Sequence, residues 1–315
     1  MSPESRESVV EVPDRGPVPR RLSLDVDTVR DLVADQFPHW ADLPVSPVPT
    51  PGWDNFTFRL ADDMLVRLPS AAEYALAVEK EHRWLPELAE QLPVPTPEPL
   101  AQGMPGAGYP FRWSVYRWLP GEPAAPSTLT DPMGFAEDVT DFLLAMRGID
   151  PTGGPQPGVH NWFRGGTLRT FDATARDALA RLDGQVEVRL AAAAWDDSLE
   201  ARWDGVDTWF HGDLAAGNLL LDRGRLAAVI DFGTCGVGDP SCDLAVAWTV
   251  LDLPGRRLLR ERLGIDASTW ARGRGWALWK TLSNLANDLE DEDEHSAGQS
   301  RRIVDAILDD FSTST

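Results

Sequence analysis

The chain has 315 residues, enough for one large domain or two closely joined lobes with a sizeable core. Its net charge of −21, from 29 basic and 50 acidic residues, argues against a nucleic-acid or anionic-membrane partner and permits a cationic one. The sequence contains no uninterrupted run of about 18 apolar residues, so no membrane span is predicted. With only two cysteines, Cys235 and Cys242, a disulfide framework is not indicated, and a cytoplasmic location is predicted.

The amino-terminal third predicts helix and strand segments in alternation. Residues 1–22 are charged and Pro-rich without an apolar signal core, which predicts a disordered tail. "LDVDTVRDLVADQF" has helical spacing, with Ser23 or Asp25 as its cap. "NFTFRL" and "MLVRL" around "ADD" predict a β-hairpin, preceded by a Pro-interrupted edge strand. "AAEYALAVEKEHRWLPELAEQL" predicts a helix with one apolar stripe.

Two more extended segments, "LPVPTPEPLAQG" and "YPFRWSVYRWLPGEP", follow, and beyond Pro120 the chain is largely helical. This order predicts an α+β fold of two unlike lobes. The first is a small antiparallel β lobe with one helix, residues 23–118, and the second is a larger, mainly helical lobe, residues 119–315.

Residues 211–233, "HGDLAAGNLLLDRGRLAAVIDFG", carry the chemistry. "NLLLD" and "RLAAVID" read as two short strands joined by a turn at Gly224, which brings Asn218 and Asp231 together. Asn and Asp oxygens are ligands that Mg²⁺ accepts while it keeps phosphate oxygens and waters. Asp213 is then available to orient a hydroxyl and accept its proton. His211 is predicted to anchor this loop through backbone hydrogen bonds, and no zinc site is indicated.

The segments "HGDLAAGN" and "VIDFGTCGVGDPSCDLA" resemble the aminoglycoside phosphotransferase family, small-molecule kinases with a protein-kinase-like fold. The resemblance extends over about residues 23–310. It implies that Asp213 is the catalytic aspartate and that Asn218 and Asp231 bind Mg²⁺. It also implies that Asp239 and Asp243 support the loop structurally.

The same resemblance implies a nucleotide site for ATP or GTP in the small lobe. "PGWDNFTFRL", with Gly52 and Asn55, stands in the place of the phosphate-covering loop. Arg67 stands where the family has its phosphate-contacting lysine, and it can still hold two phosphate oxygens. Glu81 is its expected partner, with Glu79 as the alternative. Backbone groups of the linker between the lobes are expected to bind the purine edge; these belong to Arg117, Trp118 and Leu119.

The predicted function is transfer of the γ-phosphate of ATP or GTP to a hydroxyl of a small molecule. The acidic composition favours an aminoglycoside or a similar cationic antibiotic as acceptor. Macrolides, peptide antibiotics, choline and homoserine are the alternatives. A second class is an impaired member that serves as a binding module, which Arg67 alone supports. A protein kinase is disfavoured, because "GDPSCDLA" follows the metal loop too closely for an activation loop. The oligomeric state is left as monomer or homodimer.

Overall fold

The computed structural model describes residues 19–49, 52–125 and 127–314. The predicted tail therefore lies largely outside the described residues. Its last part contacts the small lobe, because the Leu22 amide donates to the Ser70 carbonyl oxygen at 2.7 Å and the Arg21 side chain reaches the Ser70 hydroxyl at 3.3 Å. Among the described residues, none of the helices has both the length and the apolar composition needed to cross a bilayer.

The small lobe is built on one antiparallel five-stranded sheet with strand order β1-β2-β3-β5-β4. The predicted hairpin forms β2 and β3, paired from Asn55 with Pro69 to Leu60 with Met64. The Pro-interrupted strand β1 lies at the edge, as predicted, because a proline cannot donate to a central ladder. The strands are β1 (Val45–Pro47), β2 (Asn55–Leu60), β3 (Met64–Pro69), β4 (Pro99–Gly103) and β5 (Trp113–Arg117).

Two α-helices belong to this lobe, α1 (Val26–Gln36) and α2 (Ala72–Ala89). The fold-class prediction of one helix is thus corrected to two. The reason is that the amino-terminal helix also packs on the sheet, and its Val29, Leu32 and Val33 share one buried cluster with strand residues. Of the two predicted caps Asp25 is used, since its carboxylate accepts a hydrogen bond from the Thr28 amide at 2.7 Å.

The large lobe is mainly helical. Its helices are α3 (Pro132–Gly148), α4 (Asp172–Arg181), α5 (Val188–Glu200), α6 (Val246–Thr249), α7 (Leu253–Arg262), α8 (Ala267–Glu290) and α9 (Glu294–Ser314). Five short strands interrupt them: β6 (Glu122–Pro123), β7 (Thr208–Phe210), β8 (Leu219–Asp222), β9 (Arg225–Val229) and β10 (Gly236–Gly238). Strands β6, β8 and β9 form one antiparallel sheet, and β7 pairs with β10.

Two buried apolar clusters correspond to the two lobes. One lies within the small lobe and includes Leu60, Val66 and Trp113. The other fills the large lobe and also takes in Leu85 of α2 and Tyr116 of β5. Helix α2 therefore packs against both lobes and sets the cleft between them. Two unlike lobes, one of antiparallel sheet and one of helices, are what the sequence predicted.

Candidate active site

The β8–β9 hairpin brings together the backbone segments that carry the predicted metal ligands. Leu219 pairs with Val229, and the Ile230 amide donates to the Asn218 carbonyl oxygen at 2.9 Å. At the turn, Arg223 and Gly224 have φ values of 50° and 80°. Positive φ at both central residues is the type I′ geometry that suits the twist of a tight hairpin. Asn218 thus lies directly before β8, opposite Ile230, the residue that precedes Asp231.

The loop before this hairpin is held by Asp243 and His211. The buried Asp243 carboxylate accepts hydrogen bonds from the amides of His211 and Gly212 at 2.8 and 2.7 Å. The His211 ring bonds the Ile230 carbonyl oxygen at 3.0 Å through Nε2 and accepts from the Asp213 amide at 3.2 Å through Nδ1. The ring is therefore a neutral tautomer that ties the loop to β9. These are the backbone bonds expected of His211.

Gly212 is required by the close approach of two chain segments. Its φ is +86°, and a Cβ there would lie 2.8 Å from the Thr234 carbonyl oxygen. A side chain would strain the backbone and push the segment after Asp231 away. Asp239 is the second residue that was expected to support the loop, and its contacts are with other parts of the protein. Its carboxylate pairs with Arg272 of α8 at 2.7 Å and caps the turn at Ser241, so it joins the metal-loop segment to α8.

The Asp213 carboxylate is oriented from two sides. Oδ1 contacts the Lys280 ammonium of α8, and Oδ2 accepts from the Asn218 side chain at 3.3 Å. Burial raises the pKa of Asp213, but the positive charges of Lys280 and Arg164 outweigh it and hold the pKa below its ordinary value. Asp213 is therefore ionised at neutral pH, as an acceptor for a hydroxyl proton must be.

Asp231 adopts a left-handed backbone conformation, with φ 66° and ψ 64°. That region is costly for a residue other than glycine, and such strain concentrates at functional sites. Its Oδ1 pairs with Arg67 of β3 at 2.7 Å, so this ion pair spans the cleft between the lobes.

Asn218 and Asp231 suit a magnesium–nucleotide complex better than a site for a bare ion. Among the described residues, no group of three His, Cys, Asp or Glu side chains could hold a metal ion alone. One amide oxygen and one carboxylate are, however, the hard ligands that Mg²⁺ uses when phosphates and waters complete its shell. The donor set therefore fits Mg²⁺ that arrives with a nucleotide.

The contact predicted between Arg67 and Glu81 is present, at 3.6 Å. Glu81 of α2 is buried and also accepts a hydrogen bond from the Tyr116 hydroxyl. Burial lowers the pKa of Arg67, yet the charges of Asp231 and Glu81 reverse this and raise it, so the guanidinium stays charged. The alternative partner, Glu79, faces outward and pairs with Arg112 at 3.1 Å.

Asn55 and Gly52 belong to the segment that was predicted to cover the phosphates. Asn55 begins β2 and lines the cavity that also contains Arg67 and Asp231. Gly52 is exposed, and a Cβ there would meet only the Asn55 carbonyl oxygen, at 3.7 Å. The described surroundings thus do not require glycine at position 52.

In the linker between the lobes, where backbone groups of three residues are expected to bind the purine edge, two of the three amides already have partners. The Arg117 amide donates to the Glu98 carbonyl oxygen at 3.0 Å, and the Trp118 amide donates to the Asp63 carbonyl oxygen at 2.7 Å. For Arg117 and Trp118, the carbonyl oxygens therefore remain as the candidates for a hydrogen bond with the purine edge. Leu119 remains the candidate for an amide bond to the purine edge.

Three basic residues of the site were missed by sequence reasoning: Lys80, Arg164 and Lys280. Lys80 of α2 is buried, and its ammonium donates to the carbonyl oxygens of Gly233 and Cys235 at 2.6 and 3.0 Å. One signal was available, because Lys80 and Lys280 are the only two lysines among the 29 basic residues of the sequence. Both contact the loops around Asp213 and Asp231.

Residues of these loops line two cavities, which are named here for their predicted ligands. The nucleotide cavity lies between the lobes and is lined by Asn55, Arg67, Glu81 and Asp231, among others. The acceptor cavity lies within the large lobe beside Asp213, and its walls come from the loop 212–216 and from helices α8 and α9. The Asn218 side chain bonds Asp213, and its carbonyl oxygen accepts from the amide of Ile230, which precedes Asp231.

Comparison with known proteins shows the family of the chain. The model of the phosphotransferase enzyme family called APH matches residues 46–276, which is more than half of the chain. A relative from Bacillus subtilis (strain 168), the uncharacterized protein YcbJ, is 25% identical over 191 residues, which cover 56% of this chain and 58% of that protein. An aminoglycoside 3′-phosphotransferase from Escherichia coli is 39% identical over 59 residues, 18% of this chain and 22% of that enzyme. The matches therefore span less than two thirds of either relative.

Solved structures show the same fold over most of the chain. The GDP and kanamycin complex of an aminoglycoside phosphotransferase, APH(2″)-IIIa, superposes with a TM-score of 0.67 at 17% identity and covers 91% of this chain and 99% of that one. The macrolide 2′-phosphotransferase MphH from Brachybacterium faecium gives 0.55 at 20% identity, with 89% and 97% covered. At such identities the likeness establishes a protein-kinase-like fold and does not identify an acceptor.

Proposed function

Because the chain belongs to the phosphotransferase enzyme family, we propose that it transfers the γ-phosphate of ATP or GTP to a hydroxyl group of a small molecule. The observation that supports this best is the position of Asp213. Its ionised carboxylate lines the acceptor cavity, while Asn218 links it to the end of β9, where Asp231 and Arg67 face the nucleotide cavity. A phosphate held in one cavity and a hydroxyl held in the other would meet at this point.

Each residue has a distinct part in this reaction. Asp213 accepts a hydrogen bond from the acceptor hydroxyl and directs its lone pair at phosphorus. As the new oxygen–phosphorus bond forms, Asp213 takes the hydroxyl proton, and the bond from the γ-phosphorus to the bridging oxygen breaks, so that ADP or GDP leaves. Arg67 leaves Asp231 and holds phosphate oxygens, as a bidentate donor can. Asn218 and Asp231 would hold Mg²⁺, which supplies neutralisation of phosphate charge when bound. Catalysis is thus mainly positioning and electrostatic stabilisation.

Replacement of Asp213 tests the proposal. Asp213→Ala should lower magnesium-dependent transfer by roughly 10²–10⁴-fold, the value of a positioned general base. Nucleotide affinity should change little, because Asp213 faces the acceptor. The assay is ADP or GDP release with a panel of acceptors, and Asp222→Ala, an exposed residue of the same hairpin, is the matched control. Turnover of Asp213→Ala within tenfold of the parent would exclude it as the base.

The acceptor is the open part of this function. Acidic composition favoured an aminoglycoside or another cationic antibiotic, and the names of several similar proteins keep those compounds on the panel, together with macrolides. Composition describes the whole surface, however, whereas an acceptor is recognised by the residues that line its own cavity.

A further inference from the structure

The charged residues of the acceptor cavity differ in sign from the protein as a whole. Among the described residues that line it, the ionisable carboxylate is Asp213 and the permanent cations are Arg164 and Lys280. The lining therefore carries one negative and two positive charges, in a protein of net charge −21. Resting on the function proposed above, we infer that this enzyme selects an acceptor with an anionic group, such as a carboxylate, close to its reacting hydroxyl, and disfavours cationic acceptors.

The negative charge of the Asp213 carboxylate is already balanced by an ammonium group, that of Lys280. One oxygen contacts Lys280, and the other accepts the Asn218 hydrogen bond at 3.3 Å. A cationic acceptor would therefore bring a further positive charge next to Lys280 and Arg164. A hydroxyl, by contrast, can donate to an Asp213 oxygen while Lys280 stays in place, because a carboxylate oxygen has more than one lone pair.

Arg164 is held between the loop and helix α8. Its Nε donates to the Gly212 carbonyl oxygen at 3.1 Å, and its guanidinium carbon lies 4.7 Å from the ring centre of Trp279. Because the guanidinium does not lose its proton at neutral pH, its charge is a permanent feature of the cavity wall. Lys280 and Arg164 both lie near Asp213 in the wall of the same cavity, and an anionic group placed near the acceptor hydroxyl would be attracted by both.

The remaining lining is largely apolar and aromatic. It includes Leu214, Ala216, Trp276, Trp279 and Ile303. The Asp288 carboxylate accepts a hydrogen bond from the hydroxyl of Ser300, a lining residue, at 3.1 Å, but Asp288 itself is not among the residues that line the cavity. The cavity therefore suits a compound with an apolar or aromatic face, and an amine-rich polar sugar would leave these surfaces unmatched.

The charge of the whole protein does not reverse this preference. Exposed charges farther than a Debye length, about 8 Å at physiological salt, are largely screened. The acidic surface can concentrate cations near the protein, but Lys280 and Arg164 act at contact distance on a bound acceptor. Local charge thus decides which acceptor stays bound.

Three probes that differ only in charge test this inference: 3-(hydroxymethyl)benzoate, 3-(hydroxymethyl)benzamide and 3-(hydroxymethyl)benzylamine. Their dissociation constants for the full-length chain are measured by titration calorimetry, with kanamycin as a polycationic reference. We expect the benzoate to bind at least about tenfold more tightly than the benzylamine, a difference of about 1.4 kcal/mol. Equal affinity, or tighter binding of the benzylamine or kanamycin, would overturn the inference.

Variants locate the preference at the cavity. Lys280→Met should bring the benzoate-to-benzylamine ratio close to one, whereas Lys280→Arg should retain it. Arg257→Met removes the same charge from an exposed site on α7 and should leave the ratio unchanged. An unaltered ratio in Lys280→Met would contradict the inference.

Because Lys280 is about one-third exposed and Lys80 is buried, an amine-reactive ester gives a second measurement. The benzoate should slow modification of Lys280, and failure to do so would place the binding elsewhere.

These outcomes separate the inference from the proposed function. Magnesium-dependent transfer to a cationic compound would retain the phosphotransferase and refute the charge preference. If the protein binds no nucleotide and transfers no phosphate, but shows the expected order of probe affinities, the proposed phosphotransferase function is refuted. The inferred charge preference of the cavity then stands.

Discussion

Arg67 lies between two carboxylates, 2.7 Å from Asp231 and 3.6 Å from Glu81. Arg67→Ala should raise the nucleotide KM by about 10- to 100-fold, since charge-assisted bonds to phosphate are worth about 1.5–3 kcal/mol. Arg67→Lys should recover much of this, because it keeps the charge but loses the bidentate grip. Initial rates over a range of ATP and GTP give both values. Arg112→Ala, another small-lobe arginine with an exposed carboxylate partner, is the control, and an equal effect there would remove Arg67 from the nucleotide site.

Asp54, at the mouth of the same cavity, gives a dependence on pH. Burial, and then the charge of Asp231, raise the pKa of Asp54 to about 6. A carboxyl with a raised folded-state pKa contributes stability below its unfolded value, near 4, and that contribution is lost as pH rises through about 6. Asp54→Asn should therefore be more stable than the parent at pH 7 by about 1–3 kcal/mol, and the gain should shrink towards pH 4. Urea unfolding without Mg²⁺ or nucleotide measures this, and a gain independent of pH would show that Asp54 is not the titrating group.

Helix α2 is fastened to the segment after Asp231 by Lys80, whose ammonium bonds the carbonyl oxygens of Gly233 and Cys235. Lys80→Met should destabilise the protein by about 2–4 kcal/mol, because buried carbonyl groups lose a charged donor. Arg83→Met, on the exposed face of the same helix, should cost less than about 0.5 kcal/mol. Denaturant unfolding compares the two variants. Equal losses of stability in the two variants would mean that Lys80 does not stabilise the contact between α2 and the segment after Asp231.

The elements predicted well from sequence are those whose parts are close in the chain. The β8–β9 hairpin follows from a turn at Gly224 between two short apolar runs, and its closure is enough to bring Asn218 to the end of β9. The basic residues around Asp213 could not be derived in this way. Arg164 lies 49 residues before Asp213 and Lys280 lies 67 residues after it, and only the tertiary packing of a turn and of helix α8 brings them to the loop. Likewise, the use of the Arg117 and Trp118 amides within the small lobe depends on the register of neighbouring segments, which periodicity does not specify.

On the scale of the whole molecule, the excess of 50 acidic over 29 basic residues predicts a response to salt. Self-repulsion of a charge of −21 destabilises the compact state, and ions screen it. Raising NaCl from about 0.01 to about 0.5 M should therefore raise Tm by several degrees, as the Debye length falls from about 30 to about 4 Å. The rise should be smaller near the isoelectric point of about 4.5, where the net charge is low. Calorimetry at both pH values measures this, and a fall of Tm with salt at pH 7 would mean that attractive ion pairs dominate.

The pair between Arg67 and Asp231 joins a residue of the small lobe to one of the large lobe. Asp231 is one of two counterions of Arg67, and the other is Glu81 at 3.6 Å. In the function proposed above, loading the cleft would exchange partners, with the Asp231 carboxylate going to Mg²⁺ and the guanidinium to phosphate. A phosphate that arrived without metal would still face the Asp231 carboxylate, and a metal ion that arrived without phosphate would face a guanidinium balanced by Glu81 alone. On that function, metal and nucleotide would be thermodynamically linked through this one ion pair, and each would strengthen the binding of the other by the same factor.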